Sequence, residues 1–137
     1  MKITSPQSAV QFFHPRFAGV DVEEFWVAAL NSVKDVTACS RLFRGSADHC
    51  LFHPRDVLRF ARVNNASSFI VAHNHPSGDP RPSDEDIRIT TRLTALAAIV
   101  QIPLVDHVIL APGGRYYSFL EGGALLKAKN PAWPSCR

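Results

Sequence analysis

The segment Ser68-Phe-Ile-Val-Ala-His73-Asn-His75-Pro-Ser-Gly-Asp-Pro-Arg-Pro-Ser83-Asp-Glu-Asp86 contains three local patterns that together predict the centre of the fold. Residues 68–72 form a short apolar run with two β-branched side chains, which predicts a buried strand. The prolines and the glycine that follow predict a loop, because neither a strand nor a helix continues through them. Ser83 is a good N-cap, so a helix is expected to begin directly after it.

Two histidines lie where the predicted strand ends. Side chains at positions i and i+2 of a strand share one face and are separated by roughly 6.6 Å along it, so the imidazoles of His73 and His75 can converge. The loop then returns Ser83 and Asp86 toward them. Two imidazole nitrogens and one carboxylate oxygen suit zinc, and three protein ligands leave one position for water. We therefore predict one Zn²⁺ per chain in an open, catalytic type of site, where the pKa of bound water falls to about 7.

Each half of this pattern also has a structural interpretation. Ser83-x-x-Asp86 is a capping box that would satisfy the free amides of a helix start, and a lone His-x-His is a weak metal signal. The two halves together favour metal binding. Capping and ligation are also compatible, because Ser83 can cap the helix while Asp86 reaches the ion.

The spacing His73-x-His75-x7-Ser83-x-x-Asp86 resembles the JAMM motif of JAB/MPN-type metalloproteases. Within that group, the segment His-Asn-His-Pro-Ser-Gly resembles the motif of the RadC-like branch. Similarity extends over nearly the whole chain, through Ser5-Pro6, Glu23-x-Phe25-x-Val27, Phe43-Arg-Gly45, His53-Pro-Arg-Asp-Val57, Asn65-Ala66, Asp106-His107 and Tyr117-Ser-Phe119. The resemblance implies a three-layer α/β/α sandwich with a mixed central sheet, similar to the cytidine-deaminase fold. It also implies one zinc held by His73, His75 and Asp86, and an upstream glutamate that acts as general base.

Two glutamates are candidates for that base. In Glu23-Glu-Phe-Trp-Val-Ala-Ala-Leu30, strand alternation places Glu23 on one face with Phe25 and Glu24 on the other with Trp26. Both faces are apolar, so alternation leaves the choice open. The family pattern has its acid two residues before the phenylalanine, which implies Glu23, and Glu24 is the alternative. Without the metal motif, both would be interpreted as solvated carboxylates at a strand end.

These residues predict a zinc-dependent hydrolase, a metallopeptidase or an isopeptidase, whose zinc-bound water attacks an amide carbonyl of a peptide or protein substrate. Glu23 takes the water proton and later protonates the leaving amine. The resemblance implies that Ser83 stabilises the oxyanion. Two alternatives are a non-catalytic interaction module that keeps the metal for rigidity and a DNA-associated protein of the RadC type.

Length and composition are those of one soluble enzyme domain. With 137 residues, 46% of them hydrophobic, the chain is expected to form a single domain over residues 1–137, with a loose tail from about residue 130. We expect a stand-alone module without the helical N-terminal region of longer RadC relatives. No run of about 18 apolar residues and no apolar leader is present, so we expect no membrane contact and a cytoplasmic location by default.

Cysteine usage argues against two other classes of protein. Cys39, Cys50 and Cys136 are odd in number and form no Cys-x-x-Cys pair, so a disulfide framework is not expected. Zinc deaminases of the related fold carry His-x-Glu followed by Pro-Cys-x-x-Cys. This chain has Asn74 at the centre of its His-x-His and lacks the cysteine pair, so deamination is not expected.

The formal charge of +3 leaves nucleic-acid contact open. Basic residues are dispersed among 12 acidic ones, which favours a solvated surface. Arg55, Arg59 and Arg62 do fall on one stripe of a predicted helix, which would allow a weak DNA contact.

The remaining pattern predicts alternating strands and helices and two hairpins, hence a mixed sheet covered on both faces. The predicted helices are 6–13, 54–63 and 84–98, and the predicted strands are 23–30, 36–43, 68–72, 104–111 and 115–119. In the third helix, the residues that recur near the helical period are Ile87, Leu93, Leu96, Ala97 and Val100. At most one of the neighbours Asp106 and His107 can face the metal, and His107 is expected to be structural. The loop residue Asp79 is expected to serve turn formation only.

Overall fold

A computed structural model describes residues 1–45 and 52–127 of the chain. The predicted tail, together with Cys50 and Cys136, lies outside these residues. The helices are α1 (Pro6–Phe17), α2 (Pro54–Val63), α3 (Asp84–Val100) and α4 (Ala124–Lys127), and the strands are β1 (Glu23–Leu30), β2 (Val36–Gly45), β3 (Ser68–Asn74), β4 (Leu104–Leu110) and β5 (Tyr116–Ser118). None of the helices within the described ranges combines the length and the apolar composition that a membrane span requires.

The five strands form one mixed sheet in the order β2-β1-β3-β4-β5. Only the pairing of β3 with β4 is parallel, and α3 provides the crossover connection that a parallel pair needs. The pairing of β1 with β3 is antiparallel and places Phe25 opposite His73. The start of β1 therefore lies beside the end of β3, where the two histidines occur.

Side chains of β1 alternate between two cores, one on each side of the sheet. Phe25, Val27 and Ala29 pack in the core that also holds the buried side chains of α2 and α3. Ala28 and Leu30 pack in the opposite core with α1. Helices thus cover both faces, and the predicted three-layer α/β/α sandwich is confirmed.

Helix α1 is longer than its sequence pattern predicted. The predicted end at residue 13 is wrong, because the helix continues through Pro15 to Phe17. A proline near the end of a helix removes only one main-chain hydrogen bond. The last turn is held by Phe17, whose ring makes an edge contact with Trp26 at a centroid distance of 6.5 Å.

Helix α3 buries only part of the predicted stripe, since Leu93 and Ala97 are buried as expected. Ile87 and Val100 are 43% and 48% exposed, so their assignment to the apolar face was wrong. The buried residues of α3 include three polar ones, and the set is Asp86, Ile89, Thr90, Leu93, Thr94 and Ala97. The spacing of apolar residues alone does not predict a buried helix face that contains polar residues. Such residues can be buried because they form hydrogen bonds inside the protein.

Asp106 is a buried carboxylate that ties β4 to β5 and to the turn beyond it. Its Oδ1 accepts hydrogen bonds from the amides of His107 at 2.7 Å and Leu120 at 2.9 Å, and its Oδ2 accepts one from Ser118 Oγ at 2.6 Å. Burial raises the pKa of Asp106 from its ordinary value of 3.8 to about 6, although these hydrogen bonds act to lower it.

We expect Asp106→Ala to lower the free energy of unfolding by about 3 kcal/mol, because several buried donors lose their acceptor. Asp106→Asn should cost less. The folded-state pKa lies above the unfolded one, so the contribution of this group is fully present below about pH 4 and is lost as the pH rises through about 6. Urea unfolding from pH 4 to 7 should show that the asparagine variant lacks this dependence. Equal losses in both variants would contradict the assigned hydrogen bonds.

Candidate metal centre

The end of β3 and the first turn of α3 bring His73, His75 and Asp86 together, as the sequence predicts. One ligand atom from each residue lies within 4.8 Å of the other two. His73 Nε2 is 3.0 Å from His75 Nε2, and the Asp86 oxygens Oδ1 and Oδ2 lie 3.5 Å and 3.3 Å from these two nitrogens respectively. Ligands held at 2.0–2.1 Å in a tetrahedral zinc site are separated by about 3.3 Å from one another. These separations are therefore compatible with a single metal ion held by all three residues.

Hydrogen bonding at this centre shifts the pKa values of Asp86 and His75. Burial raises the pKa of Asp86, but hydrogen bonding with His73 and His75 lowers it well below its usual range. Burial also lowers the pKa of His75, yet the hydrogen bond with Asp86 leaves it above its ordinary value. Asp86 is thus an anion in a buried position, and such a group needs a cationic partner. A divalent cation meets that need.

The proline-rich loop orients His75 through its main chain. His75 Nδ1 lies 2.9 Å from the carbonyl oxygen of Asp79, which accepts its hydrogen bond and leaves Nε2 free to coordinate. The expectation that Asp79 serves only turn formation was therefore wrong. The interaction uses a carbonyl group that every residue carries, so residue type gives no signal for it.

Asp86 and Ser83 form the predicted capping box as well. Ser83 Oγ accepts a hydrogen bond from the amide of Asp86 at 3.0 Å, and Asp86 Oδ2 accepts one from the amide of Ser83 at 2.9 Å. Capping fixes the rotamer of Asp86 while its oxygens still face the histidines. The structural and the metal-binding interpretations of this motif are thus compatible.

His107 lies directly behind one of the proposed ligands. Its Nε2 is 2.7 Å from His73 Nδ1, and its Nδ1 is 2.7 Å from Thr90 Oγ1. Burial, with a further contribution from His73, lowers the pKa of His107 well below its ordinary value. His107 was expected to be structural, and the structure places it in contact with one residue of the candidate metal centre. The i, i+4 spacing of Asp86 and Thr90 places both on one face of α3, but it does not show that His107 of β4 packs against that face.

The two candidate bases have different surroundings. The Glu24 carboxylate is 3% exposed, accepts a hydrogen bond from Trp26 Nε1 at 3.0 Å and pairs with Arg41 at 3.2 Å and Arg44 at 3.6 Å. Glu23 shares the face of Phe25, toward His73, and its charge contributes to the raised pKa of His75. Glu24 is thus committed to the opposite face of the sheet, which favours Glu23 as the base.

Asn74, between the two histidines, holds the main chain on both sides of Glu23. Its Oδ1 accepts a hydrogen bond from the amide of Glu24 at 2.7 Å, and its Nδ2 donates to the carbonyl oxygen of Val22 at 2.9 Å. The strand that carries the ligands therefore also fixes the start of the strand that carries the candidate base.

A cleft of about 550 Å³ opens beside His75. Its walls come from three places: the end of α1 with residues 18–21, the segment Asn74–Pro76, and residues 110–113, which begin at the last residue of β4. The lining includes the apolar side chains of Phe17, Val20 and Leu110. Such a cleft has the size and character of a ligand site, and a proposed metal ligand forms part of its wall.

Known proteins resemble this chain over most of its length. A family model for the RadC-like JAB domain matches residues 3–124. The UPF0758 protein STH371 of Symbiobacterium thermophilum is 39% identical over 123 residues, which are 90% of this chain and 52% of that protein. The UPF0758 protein YfjY of Escherichia coli is 42% identical over 122 residues, 89% of this chain and 76% of that protein. A UPF0758 protein of Staphylococcus carnosus is 41% identical, and the chain spans 54% of it. This chain therefore covers about half of the length of two of these relatives and three quarters of the third.

Proposed function

Since this chain belongs to the family of RadC-like JAB domains, we propose that it is a zinc-dependent hydrolase that cleaves amide bonds, as a metallopeptidase or an isopeptidase. The supporting observation is the triangle of two imidazole nitrogens and one carboxylate, with donor atoms 3.0–3.5 Å apart. Three protein ligands are typical of catalytic zinc sites, whereas structural sites have four. The names of these relatives state no activity, so the proposed reaction rests on the chemistry of the site.

The protein residues have separate tasks in this proposal. His73, His75 and Asp86 would hold the ion, which would supply Lewis acidity and lower the pKa of a bound water to about 7. Glu23 accepts a proton from the attacking water and returns it to the amine nitrogen that leaves when the carbon–nitrogen bond breaks. Ser83 donates a hydrogen bond to the oxygen that becomes negative as the carbonyl is attacked.

The cleft beside His75 is the proposed place of the substrate. Its apolar lining from Phe17, Val20 and Leu110 suits an apolar side chain of a peptide. Of the proposed ligands, His75 lines this cleft, so a peptide side chain bound there would lie beside one edge of the proposed metal centre.

The test of this function is a cleavage screen. Zinc-loaded protein is incubated with a mixed peptide library and with peptides linked through the lysine Nε atom, and mass spectrometry identifies the products. We expect cleavage that is lost with a chelator and restored by zinc. Zinc-loaded protein that cleaves neither class of substrate would favour the non-catalytic interaction module instead.

Ser83→Ala is expected to lower kcat about 10²-fold, because one donor to the oxyanion is lost. It should also lower the free energy of unfolding by about 1 kcal/mol, since the cap of α3 is lost. Ser5→Ala is the matched control, because Ser5 caps α1 with the same capping-box geometry. Kinetics and urea unfolding of both variants separate the two effects. If Ser83→Ala loses no more activity than Ser5→Ala, the oxyanion role is wrong.

A further inference from the structure

Three buried side chains form a hydrogen-bonded row behind the metal site. His73, His107 and Thr90 are 0%, 0% and 1% exposed, and both contacts along the row are 2.7 Å long. The ring of His107 is held between Phe119, stacked on it at a centroid distance of 4.7 Å, and Phe25, in edge contact at 5.9 Å. Each ring nitrogen of His107 therefore has one fixed polar partner.

The protons along this row have two self-consistent arrangements, because each neutral imidazole carries a single N–H. In the first, His73 Nδ1–H donates to His107 Nε2, and His107 Nδ1–H donates to Thr90 Oγ1. The lone pair of His73 Nε2 then points toward His75 and Asp86. In the second, every donor and acceptor is reversed, and a proton on His73 Nε2 occupies the direction in which an ion would be bound.

We propose that His107 and Thr90 are positioning residues, which hold His73 in the tautomer that can bind a metal. The hydroxyl of Thr90 is the end of the row and acts as the acceptor. This inference deepens the proposed function, because it concerns the ability of the same site to take up its ion. One face of α3 then carries both Asp86, a proposed ligand, and Thr90, which lies one turn later. Thr90 orients His73 through the ring of His107.

A role confined to packing would depend on side-chain shape, whereas the proposed role depends on hydrogen bonding. Thr90→Val keeps the shape of the side chain and removes the acceptor, and Thr90→Ser keeps the hydroxyl. His107→Phe keeps an aromatic ring, and His107→Gln offers an amide oxygen that can accept from His73. At each of the two positions, one variant removes the hydrogen bond and the other can keep it. The four variants thus distinguish a hydrogen-bonding role from a packing role.

The measurement is the dissociation constant for zinc, obtained by competition with a chromophoric chelator. We expect Thr90→Val and His107→Phe to weaken zinc binding by about 10-fold to 100-fold, and Thr90→Ser and His107→Gln to retain most of the affinity. Wild-type affinity in Thr90→Val, or an equal loss in Thr90→Ser, would overturn the proposal. Urea unfolding of the metal-free variants shows whether each one is folded.

Nuclear magnetic resonance of the imidazole nitrogens tests the proposal without any substitution. In zinc-loaded wild-type protein, we expect His73 and His107 both to carry their proton on Nδ1. A proton on Nε2 of His107 would overturn the assignment, whatever the variants do. These readouts are independent of hydrolysis. Protein with the expected tautomers and no cleavage would refute only the proposed reaction, and active protein with unchanged affinity in Thr90→Val would refute only this inference.

Discussion

Replacing Glu23 by glutamine is expected to lower kcat for amide hydrolysis by roughly 10²-fold to 10⁴-fold while zinc remains bound at one ion per chain. The amide has nearly the shape of the carboxylate but cannot accept the proton of the attacking water. Zinc should stay, because the proposed ligands are His73, His75 and Asp86. Steady-state kinetics on the best substrate of the cleavage screen, with the metal content of the same preparations, would measure both quantities.

Glu24→Gln is the control for this experiment, since the two glutamates are neighbours on opposite faces of β1. This change removes the ion pairs with Arg41 and Arg44, and we expect kcat to stay within about 3-fold of the wild-type value. Loss of hydrolysis in Glu24→Gln, with Glu23→Gln still active, would show that the base has been assigned to the wrong residue.

His73→Ala is expected to weaken zinc binding by more than about 10²-fold, because removal of an outer hydrogen-bond partner of a ligand alone costs about 10-fold to 100-fold. Hydrolysis should disappear with the metal. The zinc content of protein dialysed against a weak chelator, measured by mass spectrometry, would check this result. His53→Ala is a suitable control, since His53 is an exposed histidine at the start of α2 whose side chain makes no capping hydrogen bond.

Asp86→Asn separates ligation from capping. The amide oxygen of asparagine can still accept the hydrogen bond from the amide of Ser83, so α3 should keep its capped start. The negative charge is lost, and with it much of the attraction for a divalent ion. We expect weakened zinc binding with a small change in the free energy of unfolding. Unchanged zinc binding would contradict the place of Asp86 in the ligand set.

Sequence reasoning brought the three proposed ligands together because they lie within one short segment. Strand alternation brings His73 and His75 to one face, and the loop and the N-cap at Ser83 fix where Asp86 falls. The hydrogen-bonded row of His73, His107 and Thr90 could not be predicted in this way, because it depends on how β4 and α3 pack against β3. A periodicity that follows only apolar residues also excludes Thr90, which is polar and buried.

The choice between Glu23 and Glu24 likewise required the tertiary structure. Alternation separates Glu23 from Glu24 but does not say which face meets the histidines. The antiparallel register that places Phe25 opposite His73, and the arginines that pair with Glu24, supply that information. The weak DNA contact suggested by the arginine stripe of α2 stays a prediction. A steep loss of DNA affinity with added salt would support it.

In the proposed metal centre, two histidines and one aspartate hold a single ion and leave one position open beside Glu23. Anomalous X-ray scattering from crystals of zinc-loaded protein, recorded on both sides of the zinc absorption edge, would locate that ion. We expect one peak at bonding distance from His73 Nε2, His75 Nε2 and an oxygen of Asp86, with no fourth protein ligand. A peak elsewhere, no peak at all, or a fourth side chain bound to the ion would contradict a catalytic metal site.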